Sequence, residues 1–315
     1  MGKLTVSYNN ENIINTTDNG SFTLATEGKL MTNDVDIVFE GGGAPYDGTV
    51  LVAGATVYTS ARSGVTYING IDNISPSELN KIAMAISNNT NITNSTQTIY
   101  VDYYDGYNEA NYKVEVGNTV SFNVDDNEYD FRIIGFNHDD LTTATAYGKA
   151  TATGKAGITF QMVDCLDTKY QMNSDATAVS NWDACELRTT HLPILKNTID
   201  YAWSDIMKKV NKKTSAGSQS STISTVSDDL FLLSEIEIFG STTYSFAGEG
   251  DVYAYWSANN TASARIKNRD GSAYPWWQRS PRNGGSAQFC FVNASGNAAA
   301  NNASVSGGVS FGFCV

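Results

Sequence analysis

Histidine, cysteine and positive charge are all scarce in this sequence. It contains two histidines and four cysteines, and the cysteines are not arranged in CxxC pairs. A zinc site needs several such ligands at short spacing, so we expect neither a metal nor another cofactor. No run of about eighteen apolar residues occurs, which leaves no candidate membrane span. Residues 1–8 also lack the apolar segment of a secretion signal, so we expect synthesis in a cytosol.

The acidic balance argues against nucleic acid as a partner. Lys and Arg number 20 against 33 Asp and Glu, for a net charge of -13, and no basic stripe offsets this charge. A chain of this kind repels phosphate backbones and anionic membranes at long range. We therefore expect it to bind neither DNA nor RNA.

The four cysteines are Cys165, Cys185, Cys290 and Cys314. We expect free, buried thiols, because cysteine behaves as a small apolar residue where nothing activates it. A Cys290–Cys314 disulfide is the alternative, and it would form only after the protein leaves a reducing compartment.

Residues 1–40 have the pattern of a small β module. Residues 4–8 and 35–39 alternate polar and apolar side chains with the period of a strand, and Asp-Asn-Gly at 18–20 is a turn signal between them. Gly-Gly-Gly-Ala-Pro at 41–45 breaks the periodicity and predicts a linker. The module resembles the short N-terminal modules of tail-fibre and baseplate proteins from phages of Gram-positive bacteria.

Residues 41–98 are expected to form a linker and connecting segment with one helix. Strand-like alternation surrounds residues 50–52. A helix follows, with Ser75 as its N-cap, Pro76 at its first position and Glu78 completing an S-x-x-E capping box. Its apolar face consists of Leu79, Ile82, Ala83 and Ile86.

Residues 99–315 mix the two periodicities, which predicts an α+β domain. Strand patterns dominate residues 99–136, with a hairpin turn at 125–127, and another strand is predicted at 158–163. The further expectations are helices near 182–187 and over 192–208, a Ser- and Thr-rich loop at 214–227 and a short buried run at 231–234.

The C-terminal segment differs in composition from the rest. No Lys, Asp or Glu occurs after Asp270, and Gly, Ala, Ser and Asn dominate residues 282–315. So few large side chains cannot build a core, because their burial would not offset the conformational entropy lost on ordering. The segment must therefore lie on a scaffold formed by other residues.

Four spaced motifs accompany this segment. They are W-x-x-C-x-L-R at 182–188, F-L-L-S at 231–234, W-W-Q-R-S-P at 276–281 and G-V-S-F-G-F at 308–313. In this order they resemble the variable proteins of diversity-generating retroelements, found in phages and prophages of Gram-positive gut bacteria. The resemblance covers residues 99–315. It implies a C-type-lectin-like fold related to the formylglycine-generating enzyme.

The resemblance also implies a variable region at about residues 282–307. In such proteins adenines of a template RNA are copied with errors. Asn codons of the form AAY then give many residue types, but never Lys, Glu, Gln, Met or Trp. Within 282–307 Gln288 alone lies outside the reachable set. We therefore expect Gln288 to be a fixed position, or the template to differ there.

Fixed and replaceable positions alternate in the C-terminal segment. The expected scaffold positions are Phe289, Val292, Gly296, Val309, Phe311 and Phe313, with Trp276 and Trp277 in the core. The replaceable positions, expected to form the ligand-binding surface, are Arg282, Asn283, Gly284, Gly285, Ser286, Ala287, Phe291, Asn293, Ala294, Ser295, Asn297, Ala299, Ala300, Asn301, Asn302, Ser304 and Val305. Arg282 and Phe291 are the expected anchors, because Arg and aromatic side chains dominate binding hot spots.

The resemblance implies a binder and not an enzyme. We expect a receptor-binding protein at a phage tail tip, which varies its face and attaches the virion to a host-cell surface protein or glycan. The N-terminal module would bind other tail proteins, and a homotrimer is favoured. The expected location is the virion tail, after synthesis in the bacterial cytoplasm, or a prophage product. A non-diversified structural virion or surface protein with a lectin-like domain is the alternative.

An enzymatic role rests on few residues. A formylglycine-generating-type oxidase needs paired cysteines, for which Cys290 and Cys314 are the candidates, but neither has the surrounding motif. Neither His138 nor His191 has a nucleophile motif nearby. We expect His138 to be a solvated loop residue and His191 to lie at a helix terminus.

Acidic pairs occur at residues 125–126, 139–140 and 228–229. Some lectins bind calcium through acidic residues, but none of these pairs has the spacing of an EF-hand loop. We expect them to be solvated turns.

Overall fold

A computed structural model describes the strands 3–8, 11–16 and 35–40, and residues 54–105 and 109–315. Its contacts divide the chain into two units, the first formed by Met1–Thr56 with Asp102–Ala110 and the second by Val57–Val101 with Asn111–Val315. The turn expected at 18–20, the linker at 41–45 and the alternation around 50–52 lie outside the described residues.

The first unit contains an antiparallel sheet of β1 (Lys3–Tyr8), β2 (Glu11–Thr16) and β3 (Val35–Glu40) in the order β2-β1-β3. The two strands predicted here, β1 and β3, are confirmed, and they pair with Leu4 opposite Phe39. Strand β2 was not predicted, because the adjacent Ile13 and Ile14 interrupt the alternation of its sequence.

The first part of the second unit is built largely from strands. Its elements are β4 (Gly54–Tyr58), β5 (Ile68–Asn69), α1 (Pro76–Ser87), β6 (Thr98–Tyr104), β7 (Glu109–Glu115), β8 (Thr119–Val124), β9 (Asn127–Phe136) and β10 (Ile158–Met162). Some residues of β4, β6 and β7 are assigned to the first unit. Strands β4, β6, β7 and β5 form one sheet in that order, and β5 runs parallel to β7.

The remaining elements are short. They are a π-helical turn (Leu187–His191), α2 (Leu192–Lys196), α3 (Tyr201–Ile206), β11 (Val210–Ser215), β12 (Ile223–Asp228), β13 (Leu230–Phe231), α4 (Glu235–Phe239), α5 (Ala254–Ala258), α6 (Ala262–Arg265), β14 (Lys267–Arg269), β15 (Ser272–Tyr274), β16 (Trp276–Pro281), β17 (Gln288–Val292), β18 (Ala298–Asn302) and β19 (Gly312–Cys314). Helices and small sheets are thus combined in one chain, and the class is α+β. None of the helices within the described residues is long and apolar enough to cross a bilayer.

Helix α1 forms as the sequence predicts, but its capping differs. The Ser75 hydroxyl accepts a hydrogen bond from the Glu78 amide at 3.3 Å, and Pro76 is the first helical residue. The Glu78 carboxylate accepts from the hydroxyl of Tyr112 at 2.7 Å instead of returning to Ser75. All four residues of the predicted apolar face are buried, namely Leu79, Ile82, Ala83 and Ile86.

The C-terminal strand lies inside the central sheet, whose order is β13-β19-β10-β9-β8. Phe313 of β19 is opposite Phe160 of β10, with ring centroids 5.1 Å apart, and its ring also packs against Phe131 at 5.4 Å. Val309, Phe311 and Phe313 have no exposed surface. The expectation that these three positions are scaffold is confirmed.

The hairpin predicted between β8 and β9 is confirmed. Val124 pairs with Asn127, so Asp125 and Asp126 form a two-residue turn with φ of 52° and 61°. Two consecutive residues with positive φ are typical of the turn that matches the twist of a hairpin, and Asp tolerates this conformation better than most residues. Both side chains are exposed, as expected for a solvated turn.

The helix expected at 182–187 is wrong, and the helix expected over 192–208 is confirmed in part, as two short helices with a break between them. Residues before the π-helical turn form turns only, so the burial of Trp182 reflects packing and not a helical face. Helix α2 ends at Lys196, and α3 restarts with Asp200 as its N-cap, whose carboxylate accepts from the Ala202 amide at 2.8 Å. The chain is extended again at Lys208, where the amide donates to Cys314 at 2.8 Å.

The loop expected at 214–227 is also wrong. Strands β11 and β12 form a hairpin here, with Thr214 opposite Ser224 and Lys212 opposite Val226. Composition misled the prediction, because Thr214 and Ser215 are fully buried and their polar groups bond to a buried carboxylate, that of Glu249. The buried run at 231–234 is confirmed.

Candidate ligand-binding face

The segment that carries the replaceable positions forms an antiparallel sheet in the order β16-β17-β18. Trp277 is opposite Phe291, and Phe291 is in turn opposite Ala299. The register shifts between Trp277 and Pro281, so strand β16 carries extra residues there. The loops at 282–287 and 293–297 join the three strands.

The fixed positions of this sheet are buried. Phe289 and Val292 have no exposed surface, and Trp276 and Trp277 are 0% and 2% exposed. The indole nitrogen of Trp276 donates to the carbonyl of Arg265 at 3.0 Å. The core position expected for the two tryptophans is confirmed, as is the scaffold role of the two β17 residues.

The seventeen replaceable positions are all exposed or half-buried. Exposed are Asn283, Gly284, Ser286, Ala294, Ser295, Asn297, Asn302 and Val305; half-buried are Arg282, Gly285, Ala287, Phe291, Asn293, Ala299, Ala300, Asn301 and Ser304. We call these seventeen residues the binding face. Phe291 packs edge-on against Trp277, with ring centroids 5.8 Å apart. Through this contact the half-buried Phe291 connects the binding face to the buried Trp277.

Glycines within and beside the binding face have backbone constraints. Gly296, expected to be fixed, has φ of 78°, and a Cβ there would lie 1.8 Å from the carbonyl oxygen of Ala262. Gly284 was expected to be replaceable, but its φ is 93°, which L-residues rarely adopt. A Cβ on Gly285 would meet the amide oxygen of Gln288 at 2.4 Å. Replacement at Gly284 is therefore expected to strain the backbone, whereas replacement at Gly285 requires the Gln288 side chain to move.

Asn293 also shapes the backbone. Its side-chain oxygen accepts from the amides of Ser295 and Asn297, each at 3.0 Å, and closes the turn between β17 and β18. Asn is suited to this turn because its side chain imitates a backbone acceptor. Asn293 thus presents less free polar surface than Asn297, whose side chain is exposed.

Gln288 lies between the two ends of the binding face. Its side-chain oxygen accepts from Nη1 of Arg282, and its side-chain nitrogen donates to Oδ1 of Asn302 at 3.0 Å. The backbone amide of Arg282 also donates to the Gln288 carbonyl at 2.9 Å. Gln288 therefore makes three hydrogen bonds to the binding face, which agrees with its interpretation as a fixed position.

Neighbours of the face that sequence reasoning missed come from two distant loops. The buried Ser180 donates from its amide to the Ser286 carbonyl at 2.7 Å, which brings the adjacent Val179, 49% exposed, beside the face. Tyr244 accepts from the Asn283 amide at 2.6 Å, and its ring lies 5.7 Å from the guanidinium of Arg282. No local signal marks these residues, because the fold alone brings them to the face.

Residues 156–315 match the family described as a domain of unknown function, DUF6273. The chain belongs to this family. The match contains the central strands β10 and β19 and the whole binding face. No curated protein and no solved structure matches the chain.

Within the DUF6273 domain, the arginine of the W-W-Q-R-S-P motif is part of a buried ionic network. Arg279 has no exposed surface and donates to both carboxylate oxygens of Glu237, at 2.5 and 2.8 Å. Lys212 lies 2.8 Å from the same carboxylate and 2.5 Å from that of Asp139. Burial alone would raise the pKa of Glu237, but the charges of Arg279 and Lys212 lower it.

Asp139 belongs to this network, and its expectation as a solvated turn is wrong. It is 4% exposed, and its carboxylate accepts from the hydroxyl of Tyr253 at 2.9 Å and from Thr159 at 2.7 Å. Burial acts to raise the pKa of Asp139, but Lys212 and then His138 hold it well below its ordinary value. Asp140, the other member of the pair, is exposed and pairs with a lysine at 2.7 Å.

His138 is not the solvated loop residue that the sequence suggested. Its side chain is 6% exposed and stacks on Tyr253 with centroids 3.8 Å apart. Its Nε2 lies 3.1 Å from the Asp251 carbonyl. Both groups come from residues more than a hundred positions away in sequence, so the neighbouring aspartates gave no sign of this packing. His191 lies at the end of the π-helical turn, as expected.

The W-x-x-C-x-L-R motif of the DUF6273 domain surrounds another buried acid. Trp182 donates from its indole to Asp228 at 2.9 Å, and Nε of Arg188 donates to the same carboxylate at 2.6 Å. Asp228 is 6% exposed, so its expectation as a solvated turn is wrong. Asp229 remains at the surface and pairs with Lys196 at 3.2 Å and with Lys209 at 3.4 Å.

The four cysteines are free and buried, as expected, and the Cys290–Cys314 disulfide is not formed. Burial raises the pKa of Cys165 and of Cys185 to about 12 and that of Cys290 and Cys314 well above the ordinary value. Such thiols are poor nucleophiles, because the thiolate is the reactive form. Within the described ranges no group of three or more His, Cys, Asp or Glu residues is arranged to hold a metal ion.

Proposed function

We propose that the protein is a receptor-binding protein whose binding face is diversified by a retroelement, displayed at a phage tail tip for host attachment. One observation carries the proposal. The seventeen replaceable positions are all exposed or half-buried, while Phe289, Val292 and Gly296 between them are buried. Such a division lets surface side chains change at small cost in stability.

The composition of the face supports a shallow binding surface. Its side chains are mainly those of Ala, Gly, Ser and Asn, with Arg282 and Phe291 as the large ones. Few hot-spot residues give modest affinity per copy, so attachment would depend on many copies. We propose a homotrimer, whose N-terminal module binds other tail proteins, and a host surface protein or glycan as the ligand.

A test at the DNA level separates this proposal from a non-diversified structural protein. The expected finding is a second, near-identical copy of the last ~100 bases of the gene, adenine-rich at the codons of the binding face, beside a reverse transcriptase gene. The length of that copy corresponds to residues 282–315, at three bases per residue. A genome without such a copy rejects diversification.

A test at the protein level uses substitutions that spare the scaffold. Asn297→Arg places a long charged side chain at an exposed position of the face, and Asn94→Arg makes the same change at an exposed position outside it. We expect Asn297→Arg to abolish adsorption to host cells at unchanged thermal stability, and Asn94→Arg to leave adsorption intact. Equal adsorption by both variants rejects the face as the attachment surface.

An oxidase of the formylglycine-generating type is less well supported. Its paired cysteines would be Cys290 and Cys314, but Cys290 lies in β17 and Cys314 in β19, which belong to different sheets. Both thiols are fully buried. We therefore propose a binder and not an enzyme.

A further inference from the structure

We propose that Arg282, Gln288 and Asn302 form a subsite on the binding face that takes an oxyanion, the carboxylate or phosphate group of a ligand. The inference rests on the proposed function, since it names the chemistry that the face recognises. It begins from the way Gln288 uses both atoms of its amide.

The amide of Gln288 determines which polar groups its neighbours present outward. Its oxygen accepts from Nη1 of Arg282, and its nitrogen donates to Oδ1 of Asn302. The Asn302 amide oxygen thereby accepts a hydrogen bond within the protein, which sets the orientation of its amide. The Nδ2 group of Asn302 and the Nη2 group of Arg282 make no hydrogen bond to the described part of the chain, and both are N–H donors.

The charge of Arg282 is not matched within the protein. No carboxylate lies within ion-pair distance of it in the described part of the chain, where its contacts are Gln288 and the Tyr244 ring at 5.7 Å. Its Nε is buried and makes no hydrogen bond in the same part of the chain. An unmatched guanidinium in a chain of net charge -13 is notable, because acidic groups are abundant elsewhere.

The C-terminal segment itself adds no competing acid. Residues 271–315 contain neither Asp nor Glu, and the exposed neighbours Asn283 and Ser286 are neutral. Glu235 lies behind Tyr244, but its carboxylate is buried and accepts from the amides of Thr243, Tyr244 and Ser245. Guanidinium and amide N–H groups are donors that proteins use to bind carboxylate and phosphate.

The role of Gln288 in this subsite is that of a positioning residue. A glutamine side chain has both an acceptor for Arg282 and a donor for Asn302 at its end. Glutamate would keep the shape but place a negative charge beside Arg282 and turn the Asn302 amide around. The structure thus gives a chemical reason for a fixed glutamine among replaceable positions.

The experiment follows the side-chain Nε–H resonance of Arg282 by NMR in the ¹⁵N-labelled full chain. Sodium acetate and sodium phosphate are titrated separately at pH 7, with sodium chloride holding the ionic strength constant. The resonance is assigned by its loss in Arg282→Lys. We expect a saturable shift in the wild-type chain with acetate, phosphate or both, and the anion that saturates identifies the group.

The variants distinguish the subsite from general screening. Gln288→Glu and Asn302→Asp, the second at an exposed position, should each weaken the apparent affinity for the anion at least about tenfold. A loss of this size corresponds to one charge-assisted hydrogen bond. Lys209→Gln removes a positive charge from a cleft that shares no residue with the face, and the shift should persist. A linear, non-saturating shift in the wild-type chain overturns the proposal. So does an apparent affinity in Gln288→Glu and Asn302→Asp that equals the wild-type value.

Failure of this test is separable from failure of the proposed function. If host adsorption is lost in Asn297→Arg while no anion saturates the Arg282 shift, the face binds its receptor without an oxyanion subsite. If the shift saturates but adsorption is unaffected by Asn297→Arg, the subsite exists and host attachment lies elsewhere.

Discussion

Arg279 and Glu237 form a two-pronged ion pair in which every donor of the guanidinium is used. Two of its five N–H groups bond to the carboxylate, at 2.5 and 2.8 Å. The other three donate to the carbonyls of Lys213 at 3.0 Å, Leu232 at 2.9 Å and Glu249 at 2.7 Å. Arginine has five such donors in a fixed fork. This one side chain therefore joins β16 to three other chain segments.

Removing the guanidinium should be costly. We expect Arg279→Met to lower the free energy of unfolding by ~3–5 kcal/mol, because the buried Glu237 loses its two-pronged partner, although Lys212 remains at 2.8 Å, and three carbonyls lose the guanidinium donor. Urea unfolding followed by circular dichroism measures this loss. The matched charge deletion Lys209→Gln breaks a surface pair with Asp229 and should cost less than ~1 kcal/mol. Equal stability of Arg279→Met and wild type would contradict the role of the pair.

Acid should destabilise the protein through the same network. The pKa values of Asp139 and Glu237 are lowered in the folded chain, because Lys212 and Arg279 outweigh the effect of burial. Their contribution to stability is therefore present above the ordinary pKa of a carboxyl group and is lost as pH falls below about 4. We expect the urea midpoint to fall steeply from pH 5 to pH 3.

Asp139→Asn isolates this contribution. The variant is less stable than wild type at pH 6, because Lys212 loses a charged partner, and its midpoint should change less between pH 5 and pH 3. Burial raises the pKa of Glu249, so its contribution to stability changes with pH in the opposite direction. This contribution is present in both chains and cancels when they are compared. Parallel pH profiles for the two chains would contradict the assignment.

Periodicity and composition predicted the parts of the fold that are decided locally. Helix α1, the β8–β9 hairpin and the buried β19 strand all follow from spacing, capping or turn chemistry within a few residues. Phe289 and Val292 were expected to be scaffold from their apolar bulk, and both are buried. Alternation alone does not explain this, because the two residues are three positions apart and lie on opposite faces of β17.

Tertiary contacts decided the rest. Asp139, His138 and Asp228 look like surface residues in sequence, and each is buried because distant residues supply its partners: Lys212, Tyr253 and Arg188. The β11–β12 hairpin was missed for a related reason, since the Thr214 hydroxyl and the Ser215 amide bond to the buried carboxylate of Glu249. The restriction on Gly284 depends on a backbone angle that composition does not reveal.

Lys267 should make stability depend on pH near neutrality. It is 2% exposed, and its ammonium group donates to the carbonyls of Met162 and Val163. In the described part of the chain no carboxylate lies within ion-pair distance of it, although Asp164 is near enough to oppose the effect of burial. Burial lowers its pKa to about 7. The unfolded chain binds this proton up to pH ~10, so the contribution of Lys267 to stability rises from pH 7 upward and is absent below pH 7.

Lys267→Met removes this dependence while keeping the length of the side chain. We expect the stability of the variant, relative to wild type, to be greatest at pH 6 and to decline steadily up to pH 9. Comparing the two chains at each pH cancels the opposite effect of Cys185, Cys290 and Cys314, whose pKa values are raised by burial; Cys165, whose pKa Lys267 lowers, is replaced by Ala in both chains. A difference in urea midpoint that does not change over this range would show that Lys267 stays charged in the folded protein.

Gly284 should be the least replaceable position of the binding face. Its φ of 93° lies in a region that costs an L-residue ~1–2 kcal/mol, and a Cβ there would meet nothing within 4 Å. We expect Gly284→Ala to lower the free energy of unfolding by that amount through the backbone alone. Ser286→Ala, at an exposed position of the same loop, should be neutral. If urea unfolding gives equal values for both variants, the 282–287 loop accepts another conformation and Gly284 is as free to vary as its neighbours.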